Sequence, residues 1–371
     1  KYSYDGDWGN PEFWAPLASV YQYSEIQDRD RTTKTVELRL GTESDRGFGW
    51  LVGVYGNQLD ESLIDTSLGD YQPLGTPVDP SSDQSNVGIH SAYRARNGAL
   101  YGELDWDLAA GLRASFGLRG ERWSATYAGT TTDFLGSNTG YTNAPVEITS
   151  ILGATTARLN PTEDLWGGHA SLTEQLDETS SVYLTLSRGY KAGGFNLSQG
   201  LLPSQLFFNP ESDLNGELGY KADLANHRLA ISADVFYLYR RDAQIKTSFQ
   251  SDPTNPDDFV FYTGNAASGH NYGLESEAAW RASSLLTLSA DLGLLQTYFK
   301  DFVQQGVSGR SLLTVSRELA NAPHWQAAVS ATYRDPRGLM ARLDVTGMGA
   351  YYFDLPPNET TSKPYGLVNG K

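Results

Sequence analysis

Cysteine is absent from all 371 residues. That excludes a disulfide framework, a thiol nucleophile and a Cys-ligated zinc or iron–sulfur centre. Positive charge is scarce: 28 Lys and Arg stand against 44 Asp and Glu, a formal net charge of −16. Such a chain lacks the clustered cations that neutralise phosphate backbones, so no nucleic-acid partner is expected. No stretch of about 18 apolar residues occurs, and no segment reads as a membrane helix. The opening Lys1-Tyr2-Ser3-Tyr4-Asp5 does not read as a signal peptide. What the chain does have is 38 Gly and 44 aromatic residues, with 22 Tyr outnumbering 14 Phe and 8 Trp. That aromatic content argues against disorder.

The dominant pattern has period two, the signature of strands. Leu112, Ala114, Phe116 and Leu118 alternate with Arg113, Ser115, Gly117 and Arg119. Leu100, Gly102, Leu104, Trp106 and Leu108 alternate with Tyr101, Glu103, Asp105 and Asp107. The same holds for Leu229, Ile231, Ala233, Val235 and Tyr237, for Leu286 to Leu292, and for Leu339 to Val345. The runs are commonly roughly 10–16 residues long, whereas strands of soluble sheets average about 5–6. A strand crossing a bilayer at a tilt needs roughly 9–11. Aromatics close several runs: Trp123 and Tyr127, Tyr237 and Tyr239, Tyr298 and Phe299, Tyr351 to Phe353. Aromatic girdles at strand ends suit a lipid-facing band.

Connections alternate between short and long. Short ones fall near Glu43–Gly47, Ala109–Gly111, Asp177–Thr179, Ala225–His227, Arg281–Ser284 and Asp335–Gly338. Long ones are expected over 6–31, 61–87, 129–165, 191–212, 248–269, 301–318 and 353–364. Short turns opposite long loops are the habit of outer-membrane barrels. Asn97-Gly98 resembles a hairpin turn, but a turn there breaks the even strand count between long loops. Residues 88–108 are therefore read as one strand with a bulge near Asn97-Gly98, because Ile89 and Tyr93 differ in phase from Leu100 and Leu104. The fold class expected is all-β, an antiparallel transmembrane β-barrel with about 14 strands present.

Ser187-Arg188-Gly189-Tyr190-Lys191-Ala192-Gly193-Gly194-Phe195-Asn196 resembles a signature segment of the TonB-dependent outer-membrane receptors. Other pieces occur in that family's order. They include Asp5-Gly6-Asp7-Trp8-Gly9-Asn10, Glu37-Leu38-Arg39-Leu40, Trp50-Leu51-Val52-Gly53-Val54-Tyr55 and Gly117-Leu118-Arg119. Asn209-Pro210-Glu211, Glu217-Leu218-Gly219-Tyr220-Lys221, Phe236-Tyr237, Asp242-Ala243-Gln244, Asn265-Ala266, Gly273-Leu274-Glu275, Asn321-Ala322-Pro323 and Trp325 follow. Together they span nearly the whole chain, so residues 1–371 are expected to be one barrel region. The resemblance implies a barrel of about 22 strands, around an N-terminal plug preceded by a TonB-contacting box. Plug, box and last strands are expected to be missing here, so the chain is read as a fragment.

What the resemblance implies is active uptake of a scarce solute across the outer membrane of a Gram-negative bacterium. A ferric siderophore is the favoured ligand, energised by the TonB–ExbB–ExbD complex through the plug. Outer-membrane lipid and lipopolysaccharide are further expected partners. Alternatives are a receptor for a glycan, cobalamin or haem, a complete 14-stranded passive channel, and a structural or adhesin barrel. No cofactor, metal site or chemical step is expected. Such receptors line their mouth with aromatics and arginines, which stack on and pair with aromatic, anionic chelates. The candidates here are Trp8, Trp14, Tyr21, Tyr23, Arg29, Arg31, Lys191, Phe195, Arg240, Arg241, Tyr262 and Arg310. For each of them a girdle or loop-packing role is the competing reading. Inward Arg113 and Arg119 suit pairing with plug carboxylates. Asp252, Asp257 and Asp258 with Asn255 suit either a calcium site or a solvated loop. The acidic loop 61–87 suits either solvation or cation bridging to lipopolysaccharide. His90, His169, His227, His270 and His324 show no metal-ligand spacing.

Overall fold

The computed structural model describes residues 2–9, 19–42, 47–73, 85–133, 145–147, 161–196, 205–250, 259–305, 312–353 and 360–371. Among them every element is a β-strand: β1 (Tyr2–Gly9), β2 (Ser19–Thr42), β3 (Phe48–Pro73), β4 (Ser85–Ala109), β5 (Leu112–Asp133), β6 (Pro145–Glu147), β7 (Thr162–Gln175), β8 (Ser180–Lys191), β9 (Gly194–Phe195), β10 (Phe207–Phe208), β11 (Glu211–Leu224), β12 (Leu229–Gln250), β13 (Phe259–Arg281), β14 (Leu286–Gln305), β15 (Leu312–Arg317), β16 (Trp325–Arg334), β17 (Met340–Met348) and β18 (Tyr365–Gly370). Fourteen of them follow one hydrogen-bonded path in chain order, β1-β2-β3-β4-β5-β7-β8-β11-β12-β13-β14-β16-β17-β18. β6 adds to β5 and β15 to β14, while β9 and β10 pair apart from the sheet. The antiparallel, all-strand expectation and the count of 14 both hold. The chain divides into two compact units, residues 1–38, 55–99 and 121–164, and residues 39–54, 100–120 and 165–371.

In the second unit the alternation becomes two chemically distinct faces. Phe116, Leu118, Leu184, Leu186, Leu214, Leu218, Val235, Leu292, Leu294, Val329 and Leu343 are all exposed. The residues between them include Thr185, Asp213, Asn215, Glu217, Asp234 and Asp344, with glycine at 117, 219 and 293. A face this apolar and this exposed is what lipid contact requires. Aromatics mark its rims. At one rim the Tyr237 hydroxyl and His270 Nδ1 are 2.7 Å apart. Tyr237 also stacks on Tyr272 with ring centroids 6.4 Å apart, and the Tyr239 and His270 centroids are 5.3 Å apart. At the other rim Trp280 pairs with Leu229 across the ladder. Eight residues separate Tyr272 from Trp280, roughly 27 Å of strand at about 3.4 Å per residue. That is the order of the roughly 25 Å apolar band of such sheets.

The polar face explains part of the glycine content. Tyr101 lies across the adjacent strand on Gly53, and Tyr183 lies on its register partner Gly219. A Cβ added at either glycine falls under 3 Å from the ring. Each glycine is thus the slot for an aromatic ring on the next strand. The Tyr183 ring is held there by its hydroxyl, which donates to Glu217 at 2.7 Å, and by the Lys221 ammonium 5.3 Å from its centroid.

Among the described residues short turns fall where the sequence places them; 43–46 lie outside those residues. Ala225, Asn226 and His227 take left-handed φ of 54°, 58° and 62°, and His227 Nδ1 lies 2.5 Å from Asp223 Oδ2. In the turn after β7, Asp177 accepts from the Thr179 N–H at 2.7 Å, the Thr179 hydroxyl at 2.8 Å and the Ser180 hydroxyl at 2.8 Å.

Two expectations are corrected. Strands run far into the stretches expected as long loops. β2 begins at Ser19, β3 reaches Pro73, and β12 and β13 stay in register out to Gln250↔Phe259. In the β12–β13 extension residues 243–245 are buried in succession, so the ladder continues without a period-two pattern to read. The second correction concerns β4. It is one strand, as expected, but its face does not switch. Ala92, Arg94, Arg96, Gly98, Leu100, Leu104 and Trp106 are all on the more exposed face, and Tyr93 is on the other. Tyr93 and Leu100 differ in phase because Tyr93 belongs to the polar face, not because a residue is inserted. The side chain of Ile89 and the Asp252–Asp258 cluster lie outside the described residues.

Candidate functional site

In the second unit, the segment that leaves the end of β8 is strapped down by amide side chains. It contains the ladder Phe195↔Phe207 and Gly194↔Phe208. Asn196 donates through Nδ2 to the Gln205 carbonyl at 2.6 Å and the Thr263 carbonyl at 2.8 Å. Its Oδ1 accepts from the Thr263 N–H at 2.8 Å. Gln244 Nε2 donates to the carbonyls of Ala192 at 2.8 Å and Asn209 at 3.1 Å. Asn265 accepts from the Asn209 N–H at 2.7 Å and donates to the carbonyls of Asn209 at 3.1 Å and Asp242 at 2.7 Å. Carboxamides suit this task because each carries donors and an acceptor on one planar group. Asp242 has a φ of 53°, a left-handed conformation that Asp tolerates better than most residues.

Glu211 anchors the network. Its carboxylate takes a two-pronged bond from Arg240, Nε at 2.6 Å and Nη2 at 2.8 Å. It also accepts from the Gln244 N–H at 2.6 Å. Glu211 is buried, so this charge is stabilised by its partners rather than by water. Beside it Ala243, Ile245, Tyr262, Ala266, Phe299 and Phe302 form a small core, with Leu319 packed against them. Phe299 and Phe302 meet edge-on at 6.2 Å. The β14–β15 register shifts between Phe299 and Phe302, where Asp301 has a φ of 57° and its N–H donates to the Ser316 hydroxyl at 3.0 Å. That shift seats both rings in the core.

On the polar face of the same unit lies a cavity of about 800 Å³, lined among others by Tyr101, Glu103, Arg119, His169, Tyr190, Asp213 and Glu217. Arg119 Nε donates to the Tyr190 hydroxyl at 3.1 Å, and its guanidinium lies 5.8 Å from the Tyr101 ring centroid. The Gly189 N–H donates to Asp213 at 2.6 Å. Mixed charge and aromatic rings on an open wall suit reversible binding of a polar solute or polypeptide. Among the described residues no group of three or more His, Asp and Glu side chains is arranged to hold a metal ion.

The sequence-derived candidates separate into four groups. Trp14 and Arg310 lie outside the described residues. Trp8 faces Tyr23 across the β1–β2 ladder and Tyr21 is on β2, but their side chains are not among those described. In the first unit Arg31 Nε donates to Glu61 at 2.6 Å, and Arg29 Nε lies 3.7 Å from the same carboxylate. In the second unit Lys191, Phe195, Arg240 and Tyr262 belong to the strapped segment and its support, whereas Arg241, paired with Ser212, is on the opposite face of β12 from Arg240. Lys191 is exposed at the end of β8, opposite Glu211 in register. Arg241 is 74% exposed and lies 3.6 Å from Asp242. Arg240 is committed to Glu211 and Tyr262 is buried in the core, so both build the wall and neither offers a free surface. Sequence reasoning missed Asn196, Glu211, Gln244 and Asn265 as a working set. Each stands in a motif noted above, but Gln244 holds backbone 35 and 52 residues away and Asn196 holds Thr263, 67 residues away.

The whole chain, residues 1–371, matches the family described as TonB dependent receptor-like, beta-barrel. Among solved structures it is similar to the ferric yersiniabactin uptake receptor FyuA from Yersinia pestis, with 20% identity and a TM-score of 0.67 over 95% of this chain and 47% of that one. It is similar to the ferric-catecholate import receptor Fiu from E. coli K12, with 12% identity and a TM-score of 0.56 over 95% of this chain and 57% of that one. It is likewise similar to the copper transporter OprC, with 15% identity and a TM-score of 0.56 over 99% of this chain and 53% of that one. The chain spans about half the length of these solved proteins. At such identities the likeness shows a shared fold, and with the family match over every residue it places this chain in the TonB-dependent receptor-like β-barrel family.

Proposed function

We propose that this chain is barrel wall of an outer-membrane receptor that imports a ferric siderophore, energised through TonB–ExbB–ExbD. The observation that carries the reading is the strapped segment between β8 and β11. In a chain of this family, a rigidly held loop base presents exposed Lys191 four residues before the aromatic Phe195. Cations pair with carboxylate, catecholate or hydroxamate oxygens, and a ring stacks on an aromatic chelator. Arg31, exposed in the first unit, has the same chemistry. Arg240, Glu211 and Tyr262 serve by holding the wall in place. The barrel's part in transport is to bind and to guide, with no bond made or broken.

The test uses the whole receptor that contains this chain. A strain lacking it, grown under iron limitation, is supplied with a ferric catecholate, ferric citrate or a ferric hydroxamate. Uptake of one of these is expected to fall and to return on complementation. Lys191→Ala with Phe195→Ala is expected to weaken binding of that chelate about tenfold, equivalent to about 1.4 kcal/mol. Unchanged uptake of all three chelates, with tight binding of a glycan, cobalamin or haem instead, reassigns the ligand.

A further inference from the structure

In the second unit one cross-strand row ends the polar face on the side of the short turns. The Arg281 N–H donates to the Arg228 carbonyl at 2.7 Å, which continues the Leu229↔Trp280 pairing by one step and sets the two arginines opposite each other. Arg281 pairs with Thr287, Thr287 with Thr332, and Thr332 with Arg342. Arg342 and Lys371 exchange N–H to carbonyl bonds of 2.9 Å in both directions. The row is thus Arg228, Arg281, Thr287, Thr332, Arg342 and Lys371, across the neighbouring strands from β12 to β18. Its members alternate with Leu229, Trp280 and Leu343 of the apolar face, so they belong to the polar one. Arg334 stands two residues beyond Thr332 on the same face of β16. All five cations are exposed.

Few of these charges are cancelled. Arg342 is held by Asp344, its Nε 2.9 Å from both carboxylate oxygens. The Arg281 guanidinium donates to the His227 carbonyl. Among the described residues the side chains of Arg228, Arg334 and Lys371 meet no carboxylate. Asp335, next to Arg334, accepts instead from the Arg337 N–H at 2.6 Å, and Asp223 lies against His227. Like charges directly opposite across strands destabilise a sheet. The row contains two such pairs, Arg228 with Arg281 and Arg342 with Lys371. Further along the same strands the sign reverses. Glu277 and Asp291 face each other across β13 and β14, four residues from Arg281 and Thr287. That is about 14 Å of strand, beyond the screening length of roughly 8–10 Å at physiological salt. The negative and positive levels therefore act as separate fields.

In a barrel of this family the polar face lines the lumen and the short turns lie at the periplasmic end. The row then rims the exit by which an imported solute leaves. We propose that Arg228, Arg281, Arg342 and Lys371, with Arg334 beside them, draw a negatively charged solute to that exit and select anions over uncharged and cationic solutes. An anion at the level of Glu277 and Asp291 is pushed by them and pulled by the row, so its energy falls towards the periplasm. A cation meets the reverse. A mouth lined by one sign of charge focuses the field and raises the local concentration of the opposite ion. Rings of Arg and Lys serve this purpose in anion-conducting pores. A lipid head group is not favoured, because the row is on the opposite face from Trp280 and Leu343. The assignment rests on the import reading above and narrows its substrate to chelates of net negative charge.

The experiment uses whole cells carrying the complete receptor. Surface binding of a radiolabelled ferric chelate is measured with the proton gradient collapsed, and uptake with it intact. The probes are ferric citrate and a ferric tris-catecholate, both anionic, an uncharged ferric trihydroxamate, and a cationic trihydroxamate bearing a free amine. R228Q/R281Q/R334Q is expected to bind the imported anionic chelate as tightly as the parent and to take it up about tenfold more slowly. R228K/R281K/R334K, which keeps the charge, is expected to restore uptake. T287D/T332D sets carboxylates within the row without removing a cation and is expected to slow uptake as well. The Gln variant loses a like-charge pair and the Asp variant gains attraction, so neither is expected to lose stability. Heat-resistant migration on gels checks that each is folded. Undiminished uptake in either variant overturns the row. Slow uptake in the Lys variant assigns the effect to shape and overturns the charge argument. Weaker surface binding in the Gln variant moves the role to capture and overturns the exit assignment. A parent that imports only the uncharged or the cationic chelate overturns the selection of anions and leaves the import reading standing. A parent that imports none of the four removes the import reading itself, and the row's role with it.

Discussion

Glu211 and Arg240 show what a single contact decides. Arg240 reads in the sequence as a mouth cation, yet its guanidinium is spent on a buried carboxylate 29 residues away. Nothing in the local pattern reports that partner, since the pair forms only when β11 and β12 lie in register. Arg240→Ala leaves the buried Glu211 without its counter-charge, with the Gln244 N–H as its remaining partner, and is expected to cost about 3 kcal/mol. Urea unfolding of the receptor in vesicles reads this as a lower midpoint, and an unchanged midpoint contradicts the pairing. Asp177 is a residue whose role was legible, since Asp with Thr and Ser two and three places on is a turn signal. The Thr179 hydroxyl and N–H and the Ser180 hydroxyl hold its carboxyl below the usual carboxylate range. A depressed folded pKa means the turn gains stability above the ordinary value near pH 3.9 and loses it as pH falls through the folded value. Asp177→Asn is therefore expected to flatten the acid limb of the stability-against-pH curve without moving its neutral part.

At the scale of the strand, alternation was enough to identify elements and the face each presents. Phe116 is 49% exposed on the apolar face, and Ser115 belongs to the polar one. Phe116→Arg is expected to cost about 2–4 kcal/mol if it lies near the middle of the apolar band. Ser115→Arg is expected to stay within about 0.5 kcal/mol. Comparing the two unfolding midpoints in vesicles tests the phase directly, and equal midpoints contradict it. Strand ends were far less legible. β12 and β13 remain paired to Gln250↔Phe259 through a polar stretch, because backbone hydrogen bonds need no apolar partner. For the same reason the phase difference at Tyr93 suggested a bulge where the strand keeps its faces.

For the molecule as a whole, the family signature proved to be a folding device. Asn196 closes the ten-residue segment that begins at Ser187, and its side chain is bonded to Thr263, 67 residues later. Asn196→Ala is expected to raise amide exchange across 192–196 and 205–210 while leaving the global unfolding midpoint within about 0.5 kcal/mol-equivalent of the parent. Chelate affinity is expected to fall several-fold, since a loosened loop must be ordered on binding. Unchanged exchange in that segment contradicts the strap.

Composition and period two determined the class of this protein: strands throughout, one face apolar and one polar, with about 14 strands in antiparallel order. These are properties of neighbouring residues, and one strand suffices to express them. Tertiary structure decided how far the strands run, which cations stay exposed and which amides hold which backbone. Those outcomes depend on register between strands, and register is set by the sum of many cross-strand contacts, which no single segment of the chain contains.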